Sequence, residues 1–155
     1  MPLWFSVPSL FYFYTESHRE GTEEHRGETK MLLDYYYSII NQRVSDNATL
    51  FDVMLLPECD IYKGHFPGMP VAPGVCNIQM IKECVECIAG KPLLLESMLQ
   101  CKFITMITPE QTPELQIRIE STEMEDNRLK VSATISRDNM DCVIFKGEFA
   151  YINRI

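Results

Sequence analysis

The segment Gly64-His65-Phe66-Pro67-Gly68-Met69-Pro70-Val71-Ala72-Pro73-Gly74-Val75 carries the most information in the 155-residue chain. At usual frequencies, three glycines and three prolines at fixed places arise by chance at roughly 10⁻⁸ per site. Prolines three apart fix φ and stiffen the path, while the glycines permit tight turns and close backbone approach. Such a loop holds His65 in a rigid setting just before a helix expected to begin near Gly74 and Val75. The unpaired N–H groups and positive dipole end of a helix start suit a developing oxyanion. A thioester carbonyl placed there has a more acidic α-carbon, and a neutral imidazole is matched to take that proton at physiological pH. The plainer role for His65 is to cap or brace the turn; the rigid loop favours chemistry.

The surrounding pattern shows which elements hold this loop. Thr49 to Leu56 is β-prone and is closed by Pro57. From Val75 to Ala89, Ile78, Ile81, Val85 and Ile88 mark the apolar face of a helix. Gln79, Lys82, Glu83 and Glu86 share its other side, and Gly90 followed by Pro92 stops it. The period then changes to two. Leu95 to Thr105 reads as a strand, and Leu115, Ile117 and Ile119 alternate with polar residues, as do Leu129, Val131, Ala133 and Ile135. Cys142 to Ile152 is a last strand, with turns at Glu125-Asp126-Asn127 and Asp138-Asn139. Four or five antiparallel strands pairing in sequence as a meander, plus one apolar-faced helix, make an α+β domain whose sheet covers the helix.

Composition narrows the function classes. Hydrophobic residues at 46% and charged residues at 23% suit one globular domain. A net charge of −8 disfavours nucleic-acid binding, and an acidic carrier protein would have to find a local Lys/Arg patch. Among the six cysteines, Cys59, Cys76, Cys101 and Cys142 stand among apolar residues and read as small buried hydrophobes. Packing is also the expected role of Cys76 over that of a dipole-activated nucleophile. Cys84 and Cys87 form the one C-x-x-C; inside a helical pattern and without a second ligand pair, it suggests neither zinc nor a redox pair. No metal and no cofactor are expected.

Residues 1–30 read as a flexible N-terminal extension, or as a mispredicted translation start with Met31 the natural first residue. Leu3 to Tyr14 is apolar but is cut by Pro8, too short for a membrane span and without a basic residue before it; Thr15 to Lys30 is almost wholly polar. A cytoplasmic location is the expectation. Residues 31–155 are expected to be a single domain, opening with a helical spacing of Leu32, Leu33, Tyr36, Ile39 and Ile40.

The pattern G-H-F-P-G-x-P-x-x-P-G-V at residues 64–75 resembles the signature of the 3-hydroxyacyl-[acyl-carrier-protein] dehydratases of type II fatty acid synthesis, with looser similarity from about Thr49 to Ile152. The resemblance implies a hot dog fold, with a long central helix wrapped by an antiparallel sheet. It implies homodimers with a continuous sheet, an acyl tunnel at the dimer interface, and dehydration of a carrier-bound 3-hydroxyacyl thioester to the trans-2-enoyl thioester. It makes His65 the general base, gives Gly74 and Val75 the polarising of the thioester carbonyl, and places Phe66 among the substrate-binding residues.

Fourteen positions after the histidine, on the helix, the family has an acidic residue, contributed from the other subunit to protonate the leaving hydroxyl. This chain has Gln79 there. An amide does not readily donate a proton, and general acid catalysis is typically worth about 10²–10⁴-fold. Glu83 is one turn on, roughly 5.4 Å along the axis, and reads as a solvated or tunnel-mouth charge. A paralogous subunit bringing the acid, or a water held by Gln79, would restore turnover. The expectation is a working or partly working dehydratase, His65 and Gln79 its catalytic residues. An impaired acyl-binding subunit paired with an acid-bearing paralogue and a hot dog thioesterase are the alternatives.

Overall fold

The computed structural model describes residues 31–64 and 68–152, so residues 1–30, and with them the expected extension, lie outside the described residues. The described residues from Leu32 onward form one compact unit. The expected helix opening this unit is absent. Asp34 takes φ 65°, in the left-handed region, and a short turn leads instead into a strand, Tyr37–Ser45 (β1). The run of tyrosines and isoleucines fits a pleated surface as well as a helix, and over so short a span apolar spacing does not separate the two.

β1 pairs with Ala48–Leu55 (β2) as an antiparallel hairpin, Tyr37 opposite Leu55 and Ser45 opposite Ala48. A short helix, Asp60–Gly64 (α1), follows where the sequence suggested only loop. The long helix, Gly74–Ala89 (α2), runs as expected and ends at Gly90, whose φ of 68° lets its N–H reach the Glu86 carbonyl at 2.8 Å. Leu93–Phe103 (β3), Glu114–Met124 (β4), Arg128–Arg137 (β5) and Met140–Tyr151 (β6) complete the chain.

These six strands form one antiparallel sheet in the order β1-β2-β4-β5-β6-β3. Only β1-β2 and β4-β5-β6 pair in sequence, so the simple meander is incomplete. β3, which follows the helix, crosses to the far edge and pairs with β6, Leu93 opposite Tyr151 and Phe103 opposite Val143. The chain reverses after β4 and β5 through Asp126-Asn127 and Asp138-Asn139, all four at positive φ, a conformation that Asn and Asp tolerate.

Alternation buries Phe51, Val53 and Leu55 of β2, Leu115, Ile117 and Ile119 of β4, and Val131, Ala133 and Ile135 of β5. Ile78, Ile81 and Val85 of α2 are buried with them, so the sheet wraps the helix in a hot dog fold. No helix among the described residues is long and apolar enough to cross a membrane.

Candidate functional site

The loop leaving Gly68 is fixed at its far end by the backbone. The Ala72 N–H donates to the Ile107 carbonyl at 2.8 Å, and Pro73, at φ −63° and ψ 141°, sits at the N-cap of α2 with no side-chain hydrogen bond. The amides of Cys76 and Asn77 turn back to the Pro73 carbonyl at 3.0 and 3.2 Å. Helix geometry leaves the N–H groups of Gly74 and Val75 without intrahelical acceptors. Gly74 lets its neighbour come close: a Cβ there would lie 2.8 Å from Phe103 Cζ, so the aromatic ring at the end of β3 rests on the bare backbone of the helix start. His65 and Phe66 lie outside the described residues.

Gln79 is on α2, five residues beyond Gly74 and roughly 7.5 Å further along the axis. Its side chain is buried, one helical turn before Glu83. Glu83 corrects the sequence reading: at 1% exposure it is not a solvated or tunnel-mouth charge. Its Oε2 accepts from the Leu32 N–H at 3.2 Å and its Oε1 from the Leu33 N–H at 2.9 Å, so the segment before β1 covers this side of the helix. Burial pushes the carboxyl above the ordinary glutamate value, and the two donors oppose that push. With its oxygens taken up in this way, Glu83 is in no position to replace an acid at residue 79.

Other polar groups are buried nearby. Asn77 on α2 is 3% exposed, and its Oδ1 has no hydrogen-bond partner; the hydroxyls of Tyr36, Tyr37 and Tyr62 are likewise buried and unpartnered. The Tyr36 and Tyr62 rings stack at 5.1 Å, and Tyr62 lines an open groove of about 350 Å³ with Pro57, Lys63, Gly68, Pro70 and Glu110. The amide at position 77, on an otherwise apolar face of α2, is the signal by which this layer could have been found, and the reading of the sequence missed it.

The cysteines divide. Cys59, Cys76, Cys84 and Cys142 are buried, Cys101 is only half-buried, and Cys87 is exposed. Burial pushes the Cys76 thiol up to about 12, which removes it as a dipole-activated nucleophile despite its place in the first turn of α2.

One long helix held in an antiparallel sheet of this strand order, with its N-terminus fed by a proline-spaced loop, defines a hot dog protein. Residues 41–148 match the ApeI-like family, described as ApeI dehydratase, and the chain belongs to that family. The 3-hydroxyacyl-[acyl-carrier-protein] dehydratase FabZ of Wolbachia pipientis wMel is 33% identical over 84 residues, covering 50% of this chain and 59% of that protein. This chain thus spans about three-fifths of the length of the curated relatives it matches.

Among solved structures, the dehydratase heterocomplex ApeI:P from Xenorhabdus doucetiae superposes with a TM-score of 0.58 at 19% identity, covering 72% of this chain and 96% of that one. An uncharacterized protein, PH1136, from Pyrococcus horikoshii gives 0.54 at 11%, covering 72% and 80%. At these identities the likeness is one of fold.

Proposed function

We propose that this chain is the histidine-bearing half of a 3-hydroxyacyl thioester dehydratase whose acid comes from a second, paralogous hot dog subunit. The thioester carbonyl takes the N–H groups of Gly74 and Val75, and His65 removes the α-proton. The C3–O bond breaks with its electron pair on oxygen, and the partner's acid protonates that oxygen, leaving water and the trans-2-enoyl thioester. The observation that carries this reading is the pair on α2: position 79 holds a buried amide, and the nearest carboxylate, Glu83, is occupied by backbone N–H groups.

The FabZ relatives support the reaction and an acyl carrier protein as the bearer of the substrate. The heterocomplex ApeI:P supports pairing with a paralogue. β3 offers a surface for it: the strand lies at the sheet edge and leaves Leu94, Met98, Leu99 and Phe103 exposed.

Complementation within this chain tests the proposal. Absorbance of the conjugated enoyl thioester follows turnover. The parent alone is expected to be slow, Gln79→Glu faster by about 10²-fold, and His65→Ala inactive. A mixture of the parent with the double variant His65→Ala/Gln79→Glu is expected to exceed either alone, because only the mixed dimer joins a base to an acid. No gain on mixing, with Gln79→Glu equal to the parent, would overturn the reading.

A further inference from the structure

The net charge of −8 conceals a cationic row on the outer face of the sheet. Residues directly opposite on antiparallel strands share a face, and successive residues alternate between faces. Phe103 lies opposite the buried Val143 and its ring rests on Gly74 of α2, so Lys102 beside it belongs to the outer face, opposite Ile144. Lys146, opposite Gln100 of β3 and Ser132 of β5, and Lys130, opposite Glu148, lie on that face too. All three lysines are exposed. One from each of β3, β6 and β5, they run diagonally across the sheet; each step crosses one strand and two residues, and the whole row spans roughly 16 Å.

Nearby carboxylates do not neutralise the row. Glu148 is held by Arg128 at 3.6 Å and Glu120 of β4 by Arg118 at 2.6 Å, while Asp141 and Glu96 stand toward the ends of β6 and β3. Among the described residues, no ion pair holds Lys102, Lys130 or Lys146. The row is also aligned on the proposed site: Lys102 adjoins Phe103, which rests on the helix start at Gly74, and the other two lead away from it. It lies on the face of the sheet and not at its free edge, so a subunit on the β3 edge leaves it open.

We infer that this row is the docking surface for an acidic protein, the acyl carrier protein that bears the substrate, with Lys102 marking the end from which its pantetheine arm reaches Gly74 and Val75. The inference rests on the acyl-thioester site proposed above and names where its partner binds. Charge complementarity selects the occupant: an acidic protein is repelled by the chain as a whole and is drawn to the stretch of sheet where cations stand unpaired. The row thereby sets orientation as well as affinity, since a partner laid along it meets the site at one end only.

The test uses the full chain and two stable probes, a purified acyl carrier protein charged with a 3-hydroxyacyl group through an amide, and the pantetheine amide of the same acyl group, with Kd measured by calorimetry. The triple variant Lys102→Gln/Lys130→Gln/Lys146→Gln is expected to bind the charged carrier about tenfold more weakly, the scale of three exposed ion pairs, and with a flatter dependence on salt. Its Kd for the pantetheine amide is expected to stay within about twofold of the parent, which a loss of structure would not allow. Lys91→Gln, exposed just before the opposite end of β3, is expected to change neither Kd. An unchanged carrier Kd in the triple variant, or an equal loss in Lys91→Gln, would overturn the docking surface and leave the acyl site standing. A parent that binds the pantetheine amide and vesicles of anionic phospholipid, but not the carrier, would overturn the choice of partner; one that binds neither acyl probe would overturn the site as well.

Discussion

Gly74 is the residue where backbone, aromatic ring and proposed carbonyl site meet. The Phe103 ring occupies the space that any side chain at 74 would need, with the closest approach 2.8 Å from an added Cβ. Gly74→Ala should force the ring to swing, which its half-exposed position allows, so the cost falls at the low end of overpacking, about 1 kcal/mol. A fall of several degrees in Tm, recovered in Gly74→Ala/Phe103→Ala, is the expected outcome. Thioester binding should fall further than Tm suggests, since the methyl also narrows the approach to the first amides of α2. Equal melting of Gly74→Ala and the parent would show that the ring exerts no constraint.

The loop and its glycine were legible as motif, because few other reasons put these residues in this order. Glu83 was not. Its i, i+4 relation to Gln79 reads as part of a polar stripe, and what buries it is the segment at Leu32 and Leu33, fifty residues away in sequence, which helical periodicity does not encode.

Among the elements, α2 and β4 to β6 followed from period and turn chemistry, whereas β1 was misread and β3 was placed in sequence instead of at the far edge. Both failures come from long-range pairing that local pattern leaves open. β3 pays for its edge position with two register shifts against β6, between Leu95 and Ser97 and between Met98 and Gln100. Beside the first, a Cβ on Gly147 would lie 2.9 Å from the Ser97 carbonyl and 2.7 Å from the Phe145 ring, so only glycine allows the bulged edge to close on β6. The free side of β3 is where the proposed subunit contact belongs. Met98→Lys/Leu99→Lys adds two charges to exposed apolar positions there without touching the core. Sedimentation should show the parent as a dimer and this variant as a monomer of unchanged circular dichroism; a variant that stays dimeric would move the contact elsewhere.

For the whole molecule, the buried carboxylate makes stability depend on pH in a direction opposite to that of most acids. An ordinary surface carboxylate such as Asp52, held low by Arg43, stabilises the fold when ionised. Glu83 titrates in the folded protein above its unfolded value of 4.5, chiefly because burial disfavours the charge, with Glu86 adding to the push and the Leu33 and Leu32 donors opposing it. Between those two values the native state holds more protons than the unfolded chain, so its stability falls as pH rises. The contribution is therefore complete below about pH 4.5 and is lost as pH climbs through the folded value. Cys76 of α2 and Tyr37 of β1 are pushed upward by burial and stay neutral throughout, so they do not add to the slope. Glu83→Gln removes this one titration and leaves the Asp52 pair in place. The Tm advantage of the parent over Glu83→Gln should be largest at the acid end and shrink steadily toward neutral pH. An advantage that grows with pH would mean that the donors outweigh burial, and that the segment at Leu32 and Leu33 is held to α2 by charge after all.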